Sequence, residues 1–281
     1  MKKFVSLFFL PLLLSGCVQS TECGPFYRYF GVFLGASGKD TNKLVNYDNL
    51  IVDLDEFDSS QIKSLKENNN NVYAYLSVGS LEKYRSYYDT YKDLTFMDYD
   101  NWPDERWIDV SSEAWQSHII DEANRLFDLG ADGLFIDNFD VYYIALEEYE
   151  CSDEFKENIY QGCVDILSDL SKTNLNIIVN SGTDFLERLH EENSELLKSI
   201  DIYAQECVFS SIIDYENDEF GVQDKETQDY YLSIASFMKE NSKVLFIEYS
   251  IDQTLIDTIE KYCRSNGIYY YISSTVNLIS K

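Results

Sequence analysis

Hydrophobic residues along the chain gather in short, nearly uninterrupted runs. Most runs are rich in β-branched or aromatic residues and are closed by Gly, Ser, Asp or Asn, which is typical of strands. Strands that are apolar throughout belong to parallel sheets covered on both faces. We predict eight such strands, over residues 30–34, 50–54, 72–78, 133–136, 177–179, 202–205, 244–247 and 268–272.

Helical patterns occupy the segments between these runs. Between a cap at Ser112 and Gly130, apolar residues recur at helical spacing, namely Trp115, Ile119, Ala123 and Leu126. Two further helices are predicted over residues 154–170 and 227–240. Alternating strands and helices imply a parallel sheet with right-handed crossovers, and eight strands favour closure into a (β/α)8 TIM barrel of the α/β class. Residues 30–281 are expected to form this single domain.

One connection is much longer than the others. It comprises residues 80–111, between the third and fourth predicted strands. Loops longer than ~15 residues are uncommon and are often functional. Two interpretations stay open for each aromatic ring of this segment: it stacks on the C–H face of a sugar, or it packs the loop onto the barrel. The rings belong to Tyr84, Tyr87, Tyr88, Tyr91, Phe96, Tyr99, Trp102 and Trp107.

Acidic residues stand where three of the predicted strands end. Asp137 follows the fourth strand, with Asp140 three residues later, and Glu206 and Glu248 follow the sixth and seventh strands. In α/β barrels the carboxyl ends of the strands carry the chemistry. Two carboxylates can cleave a glycosidic bond, one as proton donor and the other as nucleophile or base. We therefore take Asp137 and Glu206 as candidate catalytic residues, with structural ion pairs as the alternative.

The start of the chain has the pattern of an export signal. A basic pair, Lys2 and Lys3, precedes an apolar stretch over residues 4–14. That stretch is shorter than the ~20 residues that a membrane-spanning helix needs, so residues 1–16 are interpreted as a signal peptide. Its end, LSGC, resembles the bacterial lipobox, and this resemblance implies lipidation of Cys17.

Lipidation would make the protein an exported lipoprotein at the outer membrane or cell surface. It would contact the membrane through the lipid anchor only, with residues 17–29 as a short tether. The alternative is ordinary cleavage near the same point, with Cys17 lost or free. No other apolar run is long enough to cross a membrane.

The chain is strongly acidic. Its formal charge is −28, and removal of Lys2 and Lys3 with the leader would make it −30. Such a surface repels nucleic acid and attracts cations, so we expect no nucleic-acid partner. The alternative explanation is solubility in a salty habitat. We expect the protein to be a monomer.

Cysteine and histidine usage limits the redox and metal chemistry. Five cysteines remain after Cys17, an odd number, so at least one thiol is unpaired even if export permits disulfides. Cys151 and Cys163 could close a small loop. The absence of a CxxC pair and the presence of only two histidines, His118 and His190, argue against zinc. We expect no cofactor and no metal.

Four segments stand in a fixed order along the chain: VYAYLSVGSLEKYR at residues 72–85, WPDERWIDV at 102–110, GLFIDNFD at 133–140 and FIEY at 246–249. Together they resemble the signature segments of glycoside hydrolase family 114. The resemblance covers nearly the whole mature chain, and four motifs in the right order are specific. It implies a (β/α)8 barrel and endo-α-1,4-polygalactosaminidase activity.

The resemblance also implies roles for individual residues. Asp137 matches the family's nucleophile. The acid/base glutamate falls in the segment AQEC, where counting from Asp201 selects Glu206 and counting back from Cys207 selects Gln205. We assign the role to Glu206, because only an acid can transfer the proton. Because successive side chains of a strand point to opposite faces, a shift of one residue in this match would place the acid/base side chain outside the barrel.

The expected function is cleavage of α-1,4-linked galactosamine-containing polysaccharide by a retaining mechanism. Retaining carboxyl groups lie ~5–5.5 Å apart, and we expect the raised pKa on Glu206. The expected partner, a cationic amino-sugar polysaccharide, would be attracted to an acidic protein. The expected substrate contacts are Asp53, Asp55, Tyr75, Asn138, Asp140, Asn180, Glu248 and Tyr249. For the acidic residues among them, the alternative is pairing with arginines or lysines around the rim.

Two other functions stay open. A lipoprotein with a barrel fold could bind a glycan or a protein partner without cleaving anything. A metal-dependent hydrolase could instead hold Ca²⁺ or Mg²⁺ through the oxygens of Asp137, Asp140 and Glu248. Insensitivity to a chelator would separate this last function from the two-carboxylate hydrolase.

Overall fold

The computed structural model of the protein describes residues 28–279. The predicted signal peptide, Cys17 and most of the predicted tether lie outside the described residues. Eight parallel strands form one sheet in which each strand pairs with the next along the barrel. They are β1 (Arg28–Phe33), β2 (Tyr47–Val52), β3 (Asn71–Ser77), β4 (Gly133–Asp137), β5 (Asn176–Asn180), β6 (Ile202–Glu206), β7 (Lys243–Tyr249) and β8 (Tyr269–Ser273).

Aromatic side chains join the first and last strands. The ring centroids of Phe30 and Tyr269 are 5.2 Å apart, and those of Phe33 and Tyr271 are 5.6 Å apart. The sheet is therefore a nearly closed barrel, which confirms the predicted (β/α)8 fold. The first strand begins at Arg28, two residues before the predicted start, so the end of the predicted tether belongs to the barrel.

Helices cross over between the strands. The connection from β1 to β2 is a 3-10 helix, Gly38–Lys43, and the other crossovers contain α-helices. The three predicted helices are confirmed with shifts of at most two residues at their ends, and Gly130 ends one of them at a left-handed φ of 108°. The crossover helices are α1 (Ser59–Asn68), α2 (Glu113–Leu129), α3 (Asp153–Leu170), α4 (Thr183–Glu192), α5 (Lys225–Met238) and α6 (Gln253–Asn266).

Strand side chains alternate between two apolar cores. Ala204 and Ile247 belong to the cluster inside the barrel. Tyr203 and Phe246, one residue earlier in each strand, belong to the larger cluster between the barrel and its helices. Because successive side chains point to opposite faces of a strand, this alternation also fixes which strand-end residues face the mouth of the barrel.

The long β3–β4 connection folds into a small domain-like insertion. Its three antiparallel strands are Ser80–Glu82, Thr95–Asp98 and Glu105–Ile108. Most of its rings pack within the fold; Tyr99, for example, stacks on Trp107 with ring centroids 4.2 Å apart. A second feature that we did not predict is the hairpin after β6, formed by Ser210–Asp214 and Glu219–Val222.

The described cysteines do not form disulfides. Cys151 and Cys163 are both free thiols, so the loop that they were expected to close does not exist. Cys163 is buried on α3, and the Cys151 thiol donates to the carbonyl oxygen of Ala145 at 3.4 Å. Within residues 28–279, no helix is long and apolar enough to span a membrane.

Candidate active site

The two candidate catalytic carboxylates lie at the ends of β4 and β6. Asp137 ends β4, and Glu206 ends β6 on the same face as Ala204, inside the barrel. Gln205 is on the outer face, only 2% exposed, where its side-chain oxygen accepts a hydrogen bond from Tyr203. Of the two residues between which the sequence left a choice, only Glu206 therefore reaches the mouth of the barrel.

One amide nitrogen connects the two acids. The Nδ2 of Asn180, at the end of β5, donates to Asp137 Oδ1 at 3.0 Å and to Glu206 Oε1 at 2.8 Å. The two N–H bonds of an amide group diverge by about 120°, which places these two oxygens about 5 Å apart. The Oδ1 of Asn180 is buried and accepts no hydrogen bond from the described residues.

Burial raises the pKa of both acids. The pKa of Asp137 is well above its ordinary value, because its carboxyl is desolvated and is repelled by Glu206. Desolvation also raises the pKa of Glu206, while hydrogen bonds from Tyr249 and Asn180 lower it. The expectation that Glu206 alone would have a raised pKa is therefore wrong. The two groups titrate as a coupled pair.

A cleft of about 420 Å³ opens beside this pair. Its walls come from β1, β2, β3 and β7, from the β3–β4 insertion and from residues 276–279. Tyr75 and Tyr249 line the cleft as expected, and the Tyr249 hydroxyl donates to Glu206 Oε2 at 2.5 Å. The volume falls in the range of small-molecule sites.

A buried arginine organises one wall of the cleft. Arg85, 7% exposed, pairs with Asp53 at 2.8 Å, with Asp55 at 2.9 Å and with Glu82. Asp53 lines the cleft as expected. Asp55 does not line it, because its carboxylate lies between Arg85 and Arg125, which is 2.8 Å away. The alternative of ion pairing around the rim is therefore correct for Asp55, and it also holds for Asp53, which lines the cleft while paired with Arg85.

Asn138 does not reach the cleft either. Its backbone adopts a left-handed φ of 70°, and its side chain donates to the hydroxyls of Ser77 and Ser80 at 3.0 and 3.1 Å. The Tyr99 hydroxyl donates to its Oδ1 at 3.2 Å. These contacts account for its side chain, so Asn138 holds the insertion against β3 instead of contacting substrate.

Glu248 is the largest departure from expectation. It lies on the outer face of β7, one residue before the cleft-lining Tyr249, and is 0% exposed. Its carboxylate accepts hydrogen bonds from the backbone N–H groups of Phe209 and Ser210 and from the Ser210 hydroxyl. Burial raises its pKa to about 7. Glu248 therefore cannot contact a substrate in the cleft.

The metal-dependent alternative needs Asp137, Asp140 and Glu248 to converge, and they do not. Glu248 faces away from the barrel mouth, and Asp140 accepts a hydrogen bond from the Gly182 N–H at 3.1 Å. Within the part of the chain that the structure describes, no group of three or more His, Cys, Asp or Glu residues is arranged to hold a metal ion.

Asp140 lines a second cavity, of about 590 Å³, at the same end of the barrel. Asp184, Tyr230 and Tyr231 also line this cavity. Burial raises the pKa of Asp140 to about 6, and repulsion from Glu206 is one of the smaller causes. Asp140 thus lies beside the catalytic pair, away from the wall that contains Arg85.

The insertion supplies further residues of the site. Tyr84 and Trp102, two of the rings for which sugar stacking stayed open, line the cleft, and so does Glu82, which was not predicted. Glu105 accepts a hydrogen bond from the Ser80 hydroxyl at 2.7 Å, and burial raises its pKa to about 7. All of them come from the insertion, where no strand end marks a polar residue as functional. The available signal was their position inside or beside the segments 72–85 and 102–110.

A buried carboxylate pair at the carboxyl end of a (β/α)8 barrel is the arrangement of a glycosidase. The model of glycoside-hydrolase family GH114 matches residues 19–276, and the chain belongs to that family. It is therefore a glycoside hydrolase. A search of curated protein sequences found no match.

Solved structures share the fold. The glycoside hydrolase domain of PelA from Pseudomonas aeruginosa has a TM-score of 0.71 at 18% identity, covering 90% of this chain and 96% of that one. Ega3 from Aspergillus fumigatus, in complex with galactosamine, has a TM-score of 0.67 at 21% identity, with coverages of 90% and 92%. An α-galactosidase from Thermus thermophilus has a TM-score of 0.56 at 10% identity, covering 90% of this chain and 58% of that one.

Proposed function

We propose that the protein cleaves α-1,4-linked galactosamine-containing polysaccharide by a retaining mechanism, with Asp137 as nucleophile and Glu206 as acid/base. The observation that carries the mechanism is the bridge from Asn180 Nδ2 to both carboxylates. It supports a separation near the ~5–5.5 Å of retaining enzymes and below the ~6.5–9.5 Å of inverting ones.

The reaction has two steps. In the first, protonated Glu206 donates its proton to the glycosidic oxygen while an Asp137 oxygen bonds to the anomeric carbon, and the bond from that carbon to the leaving oxygen breaks. In the second, Glu206 removes a proton from water, the water oxygen bonds to the anomeric carbon, and the bond to Asp137 breaks. Both residues return to their starting states.

The starting state needs one proton on the pair. Desolvation and mutual repulsion disfavour two charges, which supports a single shared proton near neutral pH. Both acids accept two hydrogen bonds that favour the ionised form, Asp137 from the Asn138 backbone and Asn180, and Glu206 from Asn180 and Tyr249. We assign the proton to Glu206, because the proposed reaction needs a proton donor at the leaving oxygen and an ionised Asp137 for the attack.

The proposed substrate is a cationic amino sugar. The carboxylates of Asp53, Asp55 and Glu82 outnumber Arg85, with which all three pair, so this wall keeps a negative charge that suits an ammonium group. The charge of −28 attracts a polycation. Ega3, which has the same fold, was solved with galactosamine bound. We propose further contacts from Tyr75 and Tyr249 and from Asp140 in the neighbouring cavity. Asn180, whose Oδ1 is buried, acts instead through its hydrogen bonds to the two acids.

The test is incubation of the protein with partially deacetylated galactosaminogalactan. We expect new reducing ends, insensitivity to a chelator, and a first-formed product that keeps the α configuration in a proton NMR time course. A β anomer formed first would contradict retention. Binding of the polymer without any new reducing ends would favour the alternative, a glycan-binding lipoprotein without catalysis.

We also propose that the protein is exported and lipidated at Cys17, which lies outside the described residues. The support is the ordered combination of Lys2, Lys3, the apolar stretch and LSGC. Two or more acyl chains anchor a protein stably where one does not. Cys17→Ser should release or misprocess the protein, and unchanged membrane fractionation with no lipid mass on the N-terminal peptide would contradict the proposal.

A further inference from the structure

We infer that Glu248 is a positioning residue for the acid/base Glu206 and its partner Tyr249. The inference rests on the proposed function of the pair. Glu248 does not touch the cleft and is 0% exposed. Its carboxylate instead fixes the segment that leaves β6 immediately after Glu206, which we call the β6 exit and define as residues 207–210.

Every hydrogen bond that the Glu248 side chain accepts comes from the β6 exit. Oε1 accepts the Phe209 N–H at 3.0 Å, and Oε2 accepts the Ser210 N–H at 2.8 Å and the Ser210 hydroxyl at 2.6 Å. The hydroxyl oxygen of Ser210 in turn accepts the backbone N–H of Tyr249 at 2.9 Å. The same carboxylate therefore links the end of β7 to the last two residues of the β6 exit.

Both ends of this network lead to Glu206. Cys207, the next residue, has a left-handed φ of 56° although it is not glycine, a conformation that persists only when neighbouring contacts enforce it. Its N–H donates to the Ile247 carbonyl oxygen at 3.0 Å. The Tyr249 hydroxyl donates to Glu206 Oε2. A shift of the β6 exit would therefore move both the acid/base and the hydroxyl that contacts it.

Packing alone does not explain a carboxylate at this position. The other outward residues of β7, Val244 and Phe246, are apolar and buried. Burial of a carboxyl group is unfavourable unless hydrogen bonds compensate for the loss of water. At Glu248 those bonds all come from the exit of the catalytic strand, which is the arrangement expected of a group that orients a site.

Glu248→Gln tests the inference. The substitution keeps the size of the side chain but turns one acceptor oxygen into an NH₂ group that faces N–H donors. We expect kcat to fall by about ten- to a hundredfold, as for small misplacements of catalytic groups. KM should change less than kcat, because Glu248 does not line the cleft itself and affects it through Glu206 and Tyr249. Ser210→Ala removes the hydroxyl that joins Glu248 to Tyr249 but leaves the two backbone N–H donors to Glu248, and it should reduce kcat in the same direction.

The matched control is Asp201→Asn, at the opposite end of β6. Asp201 also accepts a backbone N–H, from Ile177 at 2.7 Å, but far from the barrel mouth. It should lower the melting temperature and leave kcat unchanged. A purely structural role for Glu248 predicts the same result for Glu248→Gln, so loss of stability with an unchanged kcat would overturn the inference.

A second measurement does not depend on activity. Because the Tyr249 hydroxyl lowers the pKa of Glu206, displacement of that hydroxyl should raise it. We expect a ¹³C NMR titration, with the Glu206 signal assigned through Glu206→Gln, to show a higher pKa in Glu248→Gln than in the parent. An unchanged Glu206 pKa would overturn the inference, whereas a parent that cleaves no galactosamine polymer would overturn only the proposed function.

A double-mutant cycle tests the route through Tyr249. If Glu248 acts partly by placing the Tyr249 hydroxyl, then Glu248→Gln should reduce kcat less in a Tyr249→Phe background than in the parent. Full additivity of the two effects would overturn the inference as far as it concerns Tyr249.

Discussion

At the scale of single residues, the catalytic pair depends on charge and on one amide. Two carboxylates this close cannot both ionise easily, since each is desolvated and each raises the energy of the other's charge. Asn180 offsets part of that cost by donating to both. The division of labour between proton donor and nucleophile is thus a property of the group of three, not of either acid.

The first prediction concerns the two acids. Asp137→Asn and Glu206→Gln should each lower kcat by at least about 10²- to 10⁴-fold, because one removes the nucleophile and the other the proton donor. Reducing-end assays measure the rate, and isothermal titration calorimetry with the polymer should show that binding persists. Near-full activity of Glu206→Gln would require a different acid/base residue.

The second prediction concerns Asn180. Asn180→Ala removes the donor that lowers the pKa of both acids, so the pH at which the nucleophile ionises should rise. The acidic limb of the kcat/KM profile should therefore move to higher pH, with a loss in kcat of about a hundredfold. Asn176→Ala, at the other end of β5, is the matched control. An unmoved limb would show that the bridge does not tune the pair.

These residues could be predicted from the sequence where a strand end fixed two things: the position of the residue along the barrel axis, and the face of the strand on which its side chain lies. Asp137, Asn180 and Glu206 all end apolar strands, so alternation alone puts them at the barrel mouth. It also places Glu248 on the outer face, but the carboxylate suggested a role in the cleft. The hydrogen-bond partners of Glu248 lie at the start of the hairpin after β6. That hairpin was not recognised from the hydrophobic pattern, so the contacts of Glu248 could not be predicted.

At the scale of elements, the β3–β4 insertion completes the site. Its small sheet supplies Glu82 to the cleft, and residues between its strands supply Tyr84 and Trp102. Its three strands are only three or four residues long, so their hydrophobic pattern was too short to recognise. The barrel strands could be predicted because their burial on both faces leaves a continuous apolar run.

The third prediction tests how the insertion joins the barrel. Gly79 lies between β3 and the insertion, and a Cβ there would meet the Asn138 carbonyl oxygen at 1.8 Å. Because that atom belongs to the backbone next to Asp137, Gly79→Ala should destabilise the protein by about 1–3 kcal/mol and also reduce activity. Thermal unfolding and the reducing-end assay measure the two effects.

The matched control for this prediction is Gly221→Ala, in the hairpin after β6. A Cβ there would meet the Ser211 hydroxyl at 2.9 Å, and that hydroxyl belongs to a side chain that can rotate away. Little change in melting temperature is expected. Equal losses for both variants would show that the close approach of Gly79 to Asn138 has no special importance.

At the scale of the whole molecule, the net negative charge affects both the association with a cationic polymer and the stability of the fold. A charge of −28 attracts a cationic polymer, and the attraction should weaken as salt rises. The same charge repels itself within the folded state. Several carboxyl groups are also buried with raised pKa values: about 7 for Glu105 and Glu248 and about 6 for Asp140.

The fourth prediction follows from these pKa values. A group whose pKa is higher in the folded state binds more protons there than in the unfolded chain, so stability falls as pH rises between the two values. That window runs from about pH 4 to about pH 7 for Glu105 and Glu248, and to about pH 6 for Asp140. Relief of self-repulsion on protonation acts in the same direction. The melting temperature should therefore be higher near pH 5 than near pH 7.5.

Calorimetry across this pH range, in a buffer of constant ionic strength, measures how the melting temperature changes with pH. Below about pH 4 the trend should reverse, because the helix-capping carboxylates Asp58 and Asp224 have lowered pKa values and lose their hydrogen bonds when protonated. Glu105→Gln removes one linked proton, so the fall in its melting temperature between pH 5 and pH 7 should be shallower than that of the parent. A parent whose melting temperature rises steadily to pH 7.5 would mean that these buried acids ionise as easily as exposed ones.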